Sequence, residues 1–157
     1  MAPLPAPLVW KSPEVLIATG LGSGRISPAS GTWGTLAAWV LAVTLPKTAI
    51  IFLLILACAA GFWAINEFQK KSGTHDNGMI VIDEWAGIWV AMLFCMPHRL
   101  DQLALAFLLF RIFDVLKPWP VSHFDKNVEG AEGVMLDDIV AGVMAGICVY
   151  GYGLWMH

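Results

Sequence analysis

Two pairs of adjacent carboxylates stand at the head of apolar stretches in this sequence. Asp83 and Glu84 form the first pair, and Asp137 and Asp138 form the second. Ionisable groups in or beside apolar helices are costly to bury, so they usually mark a functional site. Carboxylate oxygens suit Mg²⁺, which proteins usually hold together with water and substrate phosphate. The simpler alternative is that these acids only stabilise the positive N-terminal ends of two helices.

Small residues follow each pair at helical spacing. They form two stripes of residues four apart, which are Asp83, Gly87 and Ala91, and Asp138, Gly142 and Gly146. Stripes of this kind let two helices approach closely. We therefore predict that the two helices pack side by side and bring their acids together. Carboxylates so placed repel one another, which calls for a cation between them.

A third polar group lies near the end of another apolar run and consists of Arg111, Asp114 and Lys117. Their spacing of three residues puts them on roughly one face of a helix. Asp114 could add a metal ligand, and the two bases could hold phosphate oxygens. A salt-bridged helix face without a catalytic role explains the same spacing equally well.

The glycine-rich segment 20–34 offers further candidates for anion binding in Arg25, Ser27 and Thr32. Glycine-rich turns expose backbone N–H groups that can surround an anion. The segment lacks the G-K-[ST] signature of a Walker loop, and its glycines could serve tight packing alone. His75 and Asp76 could supply a base or a metal ligand, but a surface turn explains them as well.

The composition favours a membrane protein over the alternative, a very apolar helical bundle. Of the 157 residues, 58% are hydrophobic and only 13% are charged, and the mean hydropathy is +0.70. The net charge of −3 argues against nucleic acid as a partner. We expect an all-α, polytopic membrane bundle with about five apolar helices and short N-terminal and loop helices. We expect residues 1–11 to form a flexible tail and residues 12–157 a single membrane-embedded catalytic domain.

The five expected spans cover residues 35–46, 48–66, 83–97, 100–116 and 136–156. Several are shorter than the ~20 residues that a membrane span needs. With alternating connections, every polar group named above falls on one side of the membrane. That side also holds most of the basic residues, which are Arg25, Lys70, Lys71, Lys117 and Lys126, against Lys47 and Arg99 on the other. The positive-inside rule makes the richer side cytoplasmic.

Four separated motifs, in order, resemble the phosphatidylglycerophosphatase A family over residues 14–150. The matching residues are Gly22–Pro28 with Gly31–Gly34, His75-Asp76 with Ile82-Asp83-Glu84 and Gly87, Phe110-Arg111 with Asp114 and Lys117–Pro120, and Asp137-Asp138 with Gly142. The resemblance implies an all-helical, Mg²⁺-dependent lipid phosphatase of a bacterial-type inner membrane. Such an enzyme converts phosphatidylglycerophosphate to phosphatidylglycerol and inorganic phosphate at the cytoplasmic face.

The residues and the resemblance together suggest a mechanism in which metal-activated water attacks phosphorus. We expect a metal set of Asp83, Glu84, Asp137 and Asp138, with Asp114 assisting. We expect Arg25, Arg111 and Lys117, helped by Ser27 and Thr32, to bind the phosphate. An aspartyl-phosphate intermediate fits the same residues. The alternatives are a membrane cation or proton transporter, a structural membrane subunit, and a phosphatase for another lipid phosphate. The sequence does not indicate an oligomeric state.

Overall fold

The computed structural model describes residues 3–5, 7–74, 77–97 and 99–156. Within these ranges every regular element is a helix, which confirms the all-α prediction. The elements are α1 (Pro13–Ala18), a 3-10 turn (Ser23–Arg25), α2 (Ser30–Val43), α3 (Lys47–Ser72), α4 (Ile82–Leu93), α5 (Leu100–Leu116), α6 (Val121–Asn127) and α7 (Gly130–Trp155).

Helix α5 begins where the sequence predicts, and α1 is the short N-terminal helix that it predicts. Helix α1 starts at Pro13 directly after Ser12, and a proline in the first turn is favoured because its missing N–H has no partner there. Helix α5 occupies the predicted range and ends at Lys117, which adopts a left-handed conformation. Helix α3 runs six residues beyond the predicted end at residue 66, because a polar last turn continues it as far as Gly73.

Helix α2 starts earlier than predicted, because two glycines that suggested a loop belong to the helix. Gly34 packs so closely on Val81 that an added Cβ would lie 2.6 Å from the Val81 Cβ. A Cβ added to Gly31 would likewise clash with the side chain of Glu84. These glycines therefore serve the approach of α2 to the chain around α4, and they do not supply loop flexibility.

Helix α7 also starts earlier than predicted, at Gly130 instead of about residue 136. Asp137 and Asp138 therefore lie about two turns inside the helix. The positive end of a helix stabilises acids only within its first turn. That simple explanation still applies to Asp83 and Glu84 in the first turn of α4, but it does not apply to the second pair.

Helix α4 forms the centre of the bundle and packs against α2, α3, α5 and α7. Its most extensive contact is with α7. The two predicted stripes face each other in this contact, because the Gly142 Cα lies against the carbonyl of Gly87. In return, a Cβ on Gly87 would lie 2.7 Å from the carbonyl oxygen of Asp138. The predicted close packing of the two helices is thus confirmed.

Two polar contacts fix the opposite ends of α3. At its start, the Lys47 Nζ donates a hydrogen bond of 2.9 Å to the carbonyl oxygen of Leu93 at the end of α4. At its other end, the Lys71 Nζ lies 2.6 Å from the carboxylate of the buried Glu14 in α1. Helix α3 is therefore antiparallel to α4, and α1 lies at the end of the bundle where α4 begins.

Two helices among the described residues, α3 and α7, are long and apolar enough to cross a membrane. Only 28% of the most apolar stretch of α3 is buried, so most of this stretch lies on the surface of the bundle. Helices α2, α4 and α5 have 14, 12 and 17 residues, which is less than the ~20 that a span requires. Helix length thus supports two of the five predicted spans.

The contact between α4 and α7 gives a stability prediction. Replacing Gly142 with alanine forces its new methyl group into the backbone of Gly87, and we expect a loss of roughly 1–3 kcal/mol in the free energy of unfolding. Thermal unfolding in detergent measures this. The matched control is Gly151→Ala in the same helix, where no atom lies within 4 Å of the added group. That variant should be neutral or more stable by up to about 1 kcal/mol. Equal unfolding temperatures for the two variants would contradict the packing.

Candidate active site

Three carboxylates from two helices meet where α4 and α7 are in contact. The side chains are those of Asp83, Glu84 and Asp138, and their nearest carboxylate oxygens lie within 4.8 Å of one another. Asp83 and Asp138 are buried, and Glu84 is partly buried. The glycine contact one turn away holds the two helix backbones close enough for the acids to converge.

Two oxygens of this group have no hydrogen-bond partner among the described residues. They are Asp83 Oδ1 and Glu84 Oε2, and both are buried. Buried charges without partners are unfavourable unless a counterion or protons compensate them. An oxygen-only set of three carboxylates suits Mg²⁺ better than zinc, which prefers histidine and cysteine ligands. The residues present therefore fit the expected metal.

Arg111 lies behind the three acids and partly compensates their charge. It forms an ion pair with Asp114, one helical turn away on α5, and its Nη1 lies 3.9 Å from the Glu84 carboxylate. The predicted salt-bridged face of α5 is therefore present. Asp114 nevertheless lines the same cavity as the three acids, so the ion pair and a place in the site coexist.

Lys117 connects the second acid pair to α6. Its Nζ donates a hydrogen bond to Asp125 and another, 2.7 Å long, to Asp137 Oδ2. Partial burial lowers the pKa of Lys117, but the hydrogen bonds and charges of Asp125 and Asp137 outweigh that effect. The net pKa lies above the ordinary lysine value, so Lys117 stays charged. Asp137 is directed to this lysine and lies outside the group of three acids.

All five predicted carboxylates line one cavity of about 560 Å³. Its wall also contains Lys117 and Lys126, which supply positive charge, and the backbone of Gly78, Gly130 and Gly133. Ser30 and Asn77 complete the wall on the side of α2. The cavity combines acids that can hold a cation with bases that can hold an anion, as the binding of a metal–phosphate complex requires.

Gly31 shows why the start of α2 can reach this site. A Cβ on Gly31 would clash with Glu84 Oε1 and would lie 3.2 Å from the Arg111 Nη1. The first turn of α2 therefore packs directly on the ion pair behind the metal candidates. The sequence reveals Gly31 as part of a motif, but only the structure shows this contact.

The predicted phosphate-binding residues are divided between two places. Lys117 lines the acid-lined cavity, and Arg111 lies behind it. Arg25 and Ser27 line a second, smaller cavity next to it. Thr32, in the first turn of α2, lines neither cavity. His75 and Asp76 lie outside the described residues, so their suggested roles stay predictions.

Sequence reasoning did not assign Ser30, Asn77, Gly78 and Lys126 to the site. Asn77 and Gly78 look like an ordinary surface turn, and Ser30 looks like part of a loop. Lys126 lies on α6, a helix too short to show a periodic pattern. No spacing in the sequence links these residues to the carboxylates, because separate chain segments bring them to the cavity.

Comparison with known proteins identifies the family of this chain. The family model for phosphatidylglycerophosphatase A matches residues 16–152 of this chain. The chain belongs to the phosphatidylglycerophosphatase A family. The match includes all five carboxylates, the whole of α4, and α7 as far as Tyr152. No solved structure matches the chain significantly.

Three relatives are similar over most of the chain. The phosphatidylglycerophosphatase A of Escherichia coli K12 is 38% identical over 93% of this chain and 87% of its own length. That of Haemophilus influenzae is 38% identical over 92% of this chain and 91% of its own length. A Bacteroides thetaiotaomicron protein, provisionally named a phosphatidylinositol-3-phosphatase, is 40% identical over 86% of this chain and 90% of its own length.

The three-acid cluster gives a binding prediction. We expect Asp138→Asn to weaken the binding of Mn²⁺, a paramagnetic substitute for Mg²⁺, at least about tenfold, because even residues that only orient ligands contribute about 10–100-fold. Electron paramagnetic resonance of free Mn²⁺ measures this without any turnover. The matched control is Asp101→Asn, since Asp101 pairs with Arg99 at the start of α5, roughly 20 Å from Asp114 along the helix. Unchanged Mn²⁺ affinity in a folded Asp138→Asn variant would remove Asp138 from the metal ligands.

Proposed function

We propose that this protein hydrolyses phosphatidylglycerophosphate to phosphatidylglycerol and inorganic phosphate with Mg²⁺ as cofactor. The observation that carries the proposal is the buried group of Asp83, Glu84 and Asp138, with two oxygens unpartnered among the described residues, in a cavity that also contains lysines. The named function of the E. coli and H. influenzae relatives supports the choice of substrate.

Asp83, Glu84 and Asp138 are the residues that would hold Mg²⁺. When bound, the ion would neutralise charge on the phosphoryl oxygens and lower the pKa of a coordinated water. Asp114 and Asp137 line the same cavity, and each is paired with a base. As residues of the cavity wall, either carboxylate can accept a proton from the attacking water while the water oxygen forms a bond to phosphorus. As the bond between phosphorus and the glycerol oxygen breaks, the same carboxyl group can return that proton to the glycerol oxygen, which leaves as a hydroxyl.

Lys117 and Lys126 are the cations placed to bind the substrate phosphate. Lys117 is charged and partly exposed to the cavity, so an incoming phosphate can share its protons with Asp125 and Asp137. Arg111 is held by Asp114 and Glu84, and its role is to limit the repulsion among the acids. We therefore assign phosphate binding in this cavity mainly to Lys117 and Lys126, and not to Arg111.

The apolar surface supports a location in the membrane. The exposed faces of α3 and α7 carry large hydrophobic side chains, among them Phe52, Ile55, Ile147, Tyr150 and Leu154. Surfaces of this kind suit lipid chains better than water. We propose that α3 and α7 cross the membrane, that α2, α4 and α5 enter it with them, and that the cavity opens at the cytoplasmic face.

Hydrolysis of another lipid phosphate is the second candidate function. The similarity to the Bacteroides thetaiotaomicron protein favours it, because that relative carries the name of a phosphatase for a different headgroup. The acid cluster would serve both substrates alike, since both present a terminal phosphate. Comparing rates for phosphatidylglycerophosphate and phosphatidylinositol 3-phosphate distinguishes them.

The activity prediction concerns metal removal and one carboxylate. In detergent with Mg²⁺, we expect phosphate release from phosphatidylglycerophosphate, and we expect EDTA to abolish it and added Mg²⁺ to restore it. Asp138→Asn should lower the rate more than about a hundredfold, because a metal ligand contributes more than the residues that orient it.

Asp101→Asn is the control for this experiment, and it should retain the parent rate. A folded parent chain that releases no phosphate with Mg²⁺ would rule out the proposed reaction. Phosphate release that continues undiminished in EDTA would rule out the metal requirement but would still support the proposed substrate.

A further inference from the structure

A second cavity of about 250 Å³ adjoins the acid-lined one. Both cavities share Ser30, Asn77 and Gly78 in their walls, so they meet at the start of α2. The remaining wall of the smaller cavity comes from residues 24–27, Ala29 and Met79. The carboxylates of the active site are absent from this wall. Among the described residues that line this cavity, Arg25 is the charged one.

Arg25 is built into this cavity without a counter-charge. Its guanidinium lies 3.6 Å from the centre of the Trp10 ring, and its buried Nε has no hydrogen-bond partner among the described residues. It also forms no ion pair with any described carboxylate, in contrast to Arg111. An unpaired buried donor is costly, so the position favours a ligand that accepts hydrogen bonds and carries negative charge.

The surroundings of Arg25 indicate a lipid environment. Ile26, which lines the cavity, and Leu16 in α1 are exposed, and Leu21 is 74% exposed. Leu21 also adopts a left-handed conformation with φ of 55°, which is uncommon for a branched side chain. A strained loop that presents leucine outward suits the apolar edge of a bilayer. Arg25 thus shares a cavity wall with the exposed Ile26 and lies four residues along the chain from the exposed Leu21.

The proposed substrate carries two phosphates, one at its free end and one next to the lipid. The terminal phosphomonoester is followed by a glycerol unit, then by a phosphodiester, and then by the diacylglycerol in the membrane. We propose that the Arg25 cavity binds the phosphodiester while the phosphomonoester occupies the acid-lined cavity. This inference rests on the proposed function and assigns Arg25 to recognition of the lipid instead of the reacting phosphate.

The chemistry of Arg25 fits a phosphodiester. A guanidinium can donate two parallel hydrogen bonds to the two non-bridging oxygens of one phosphate. Phosphatidate, in which one phosphate is attached directly to diacylglycerol, cannot fill both cavities. Arg25 would therefore distinguish lipids with a second, diester phosphate from lipids with a single one.

The test compares two inhibitors that each occupy one cavity. Phosphatidylglycerol keeps the diester and lacks the terminal phosphate, whereas inorganic phosphate resembles the terminal group alone. For Arg25→Gln we expect a rise of at least about tenfold in KM for phosphatidylglycerophosphate and in the inhibition constant of phosphatidylglycerol, since hydrogen bonds from a charged donor are stronger than those from a neutral one. The inhibition constant of inorganic phosphate and kcat should change less than about threefold. Arg25→Lys, which keeps the charge but loses the paired donors, should fall between.

Lys11→Gln is the matched control, because it removes one positive charge from a neighbouring exposed position. It should leave both inhibition constants unchanged, and thermal unfolding should confirm that every variant is folded. If Arg25→Gln weakens both inhibitors equally, or neither, the inference is wrong while the proposed function stands. If Lys11→Gln changes the inhibition constants as Arg25→Gln does, a general attraction to anionic lipid explains the effect and the Arg25 inference is wrong. A parent chain that releases no phosphate overturns both proposals.

Discussion

The contact between the backbones of α4 and α7 is the constraint on which the site depends. Gly87 and Gly142 bring the two helices together without side chains between them. One turn away from this contact, Asp83 and Asp138 are consequently forced into the same small volume. Larger residues at the glycine positions would separate the helices, and the acids could no longer share an ion. Packing and chemistry are thus set by the same few residues.

Charge is distributed unevenly around this contact. Asp114 is paired with Arg111, and Asp137 is paired with Lys117. Among the described residues, the three remaining acids have one basic partner, Arg111, whose Nη1 lies 3.9 Å from the Glu84 carboxylate and also pairs with Asp114. Repulsion among buried carboxylates is unfavourable, and it is relieved most simply by a divalent cation. Asp114 and Asp137 each have a close cationic partner, whereas the group of Asp83, Glu84 and Asp138 has a single longer contact. This difference indicates that the group of three acids would hold a metal.

Much of this arrangement could be predicted from the sequence, because it depends on local periodicity. The four-residue spacing that starts at Asp83 and at Asp138 predicts the close contact of α4 and α7, and the motifs predict the family. Contacts between distant segments could not be predicted in this way. Gly31 looked like a loop residue because its partner Glu84 is far away in sequence, and the spacing gave no sign that Asp137 binds Lys117 while Asp138 does not. Arg25 was grouped with the other bases, although folding places it in a different cavity.

The indole of Trp10 over Arg25 has a consequence for how an anion can approach. The ring covers one flat face of the guanidinium, so water is excluded from that face before any ligand arrives. The donors lie along the edge of the guanidinium plane, so an anion that binds Arg25 would have to approach along this edge. A group with two oxygens in one plane can accept two parallel hydrogen bonds from this edge, whereas a lone carbonyl cannot. In the proposed site, Trp10 in the segment before the first helix would therefore limit the directions from which an anion can reach Arg25.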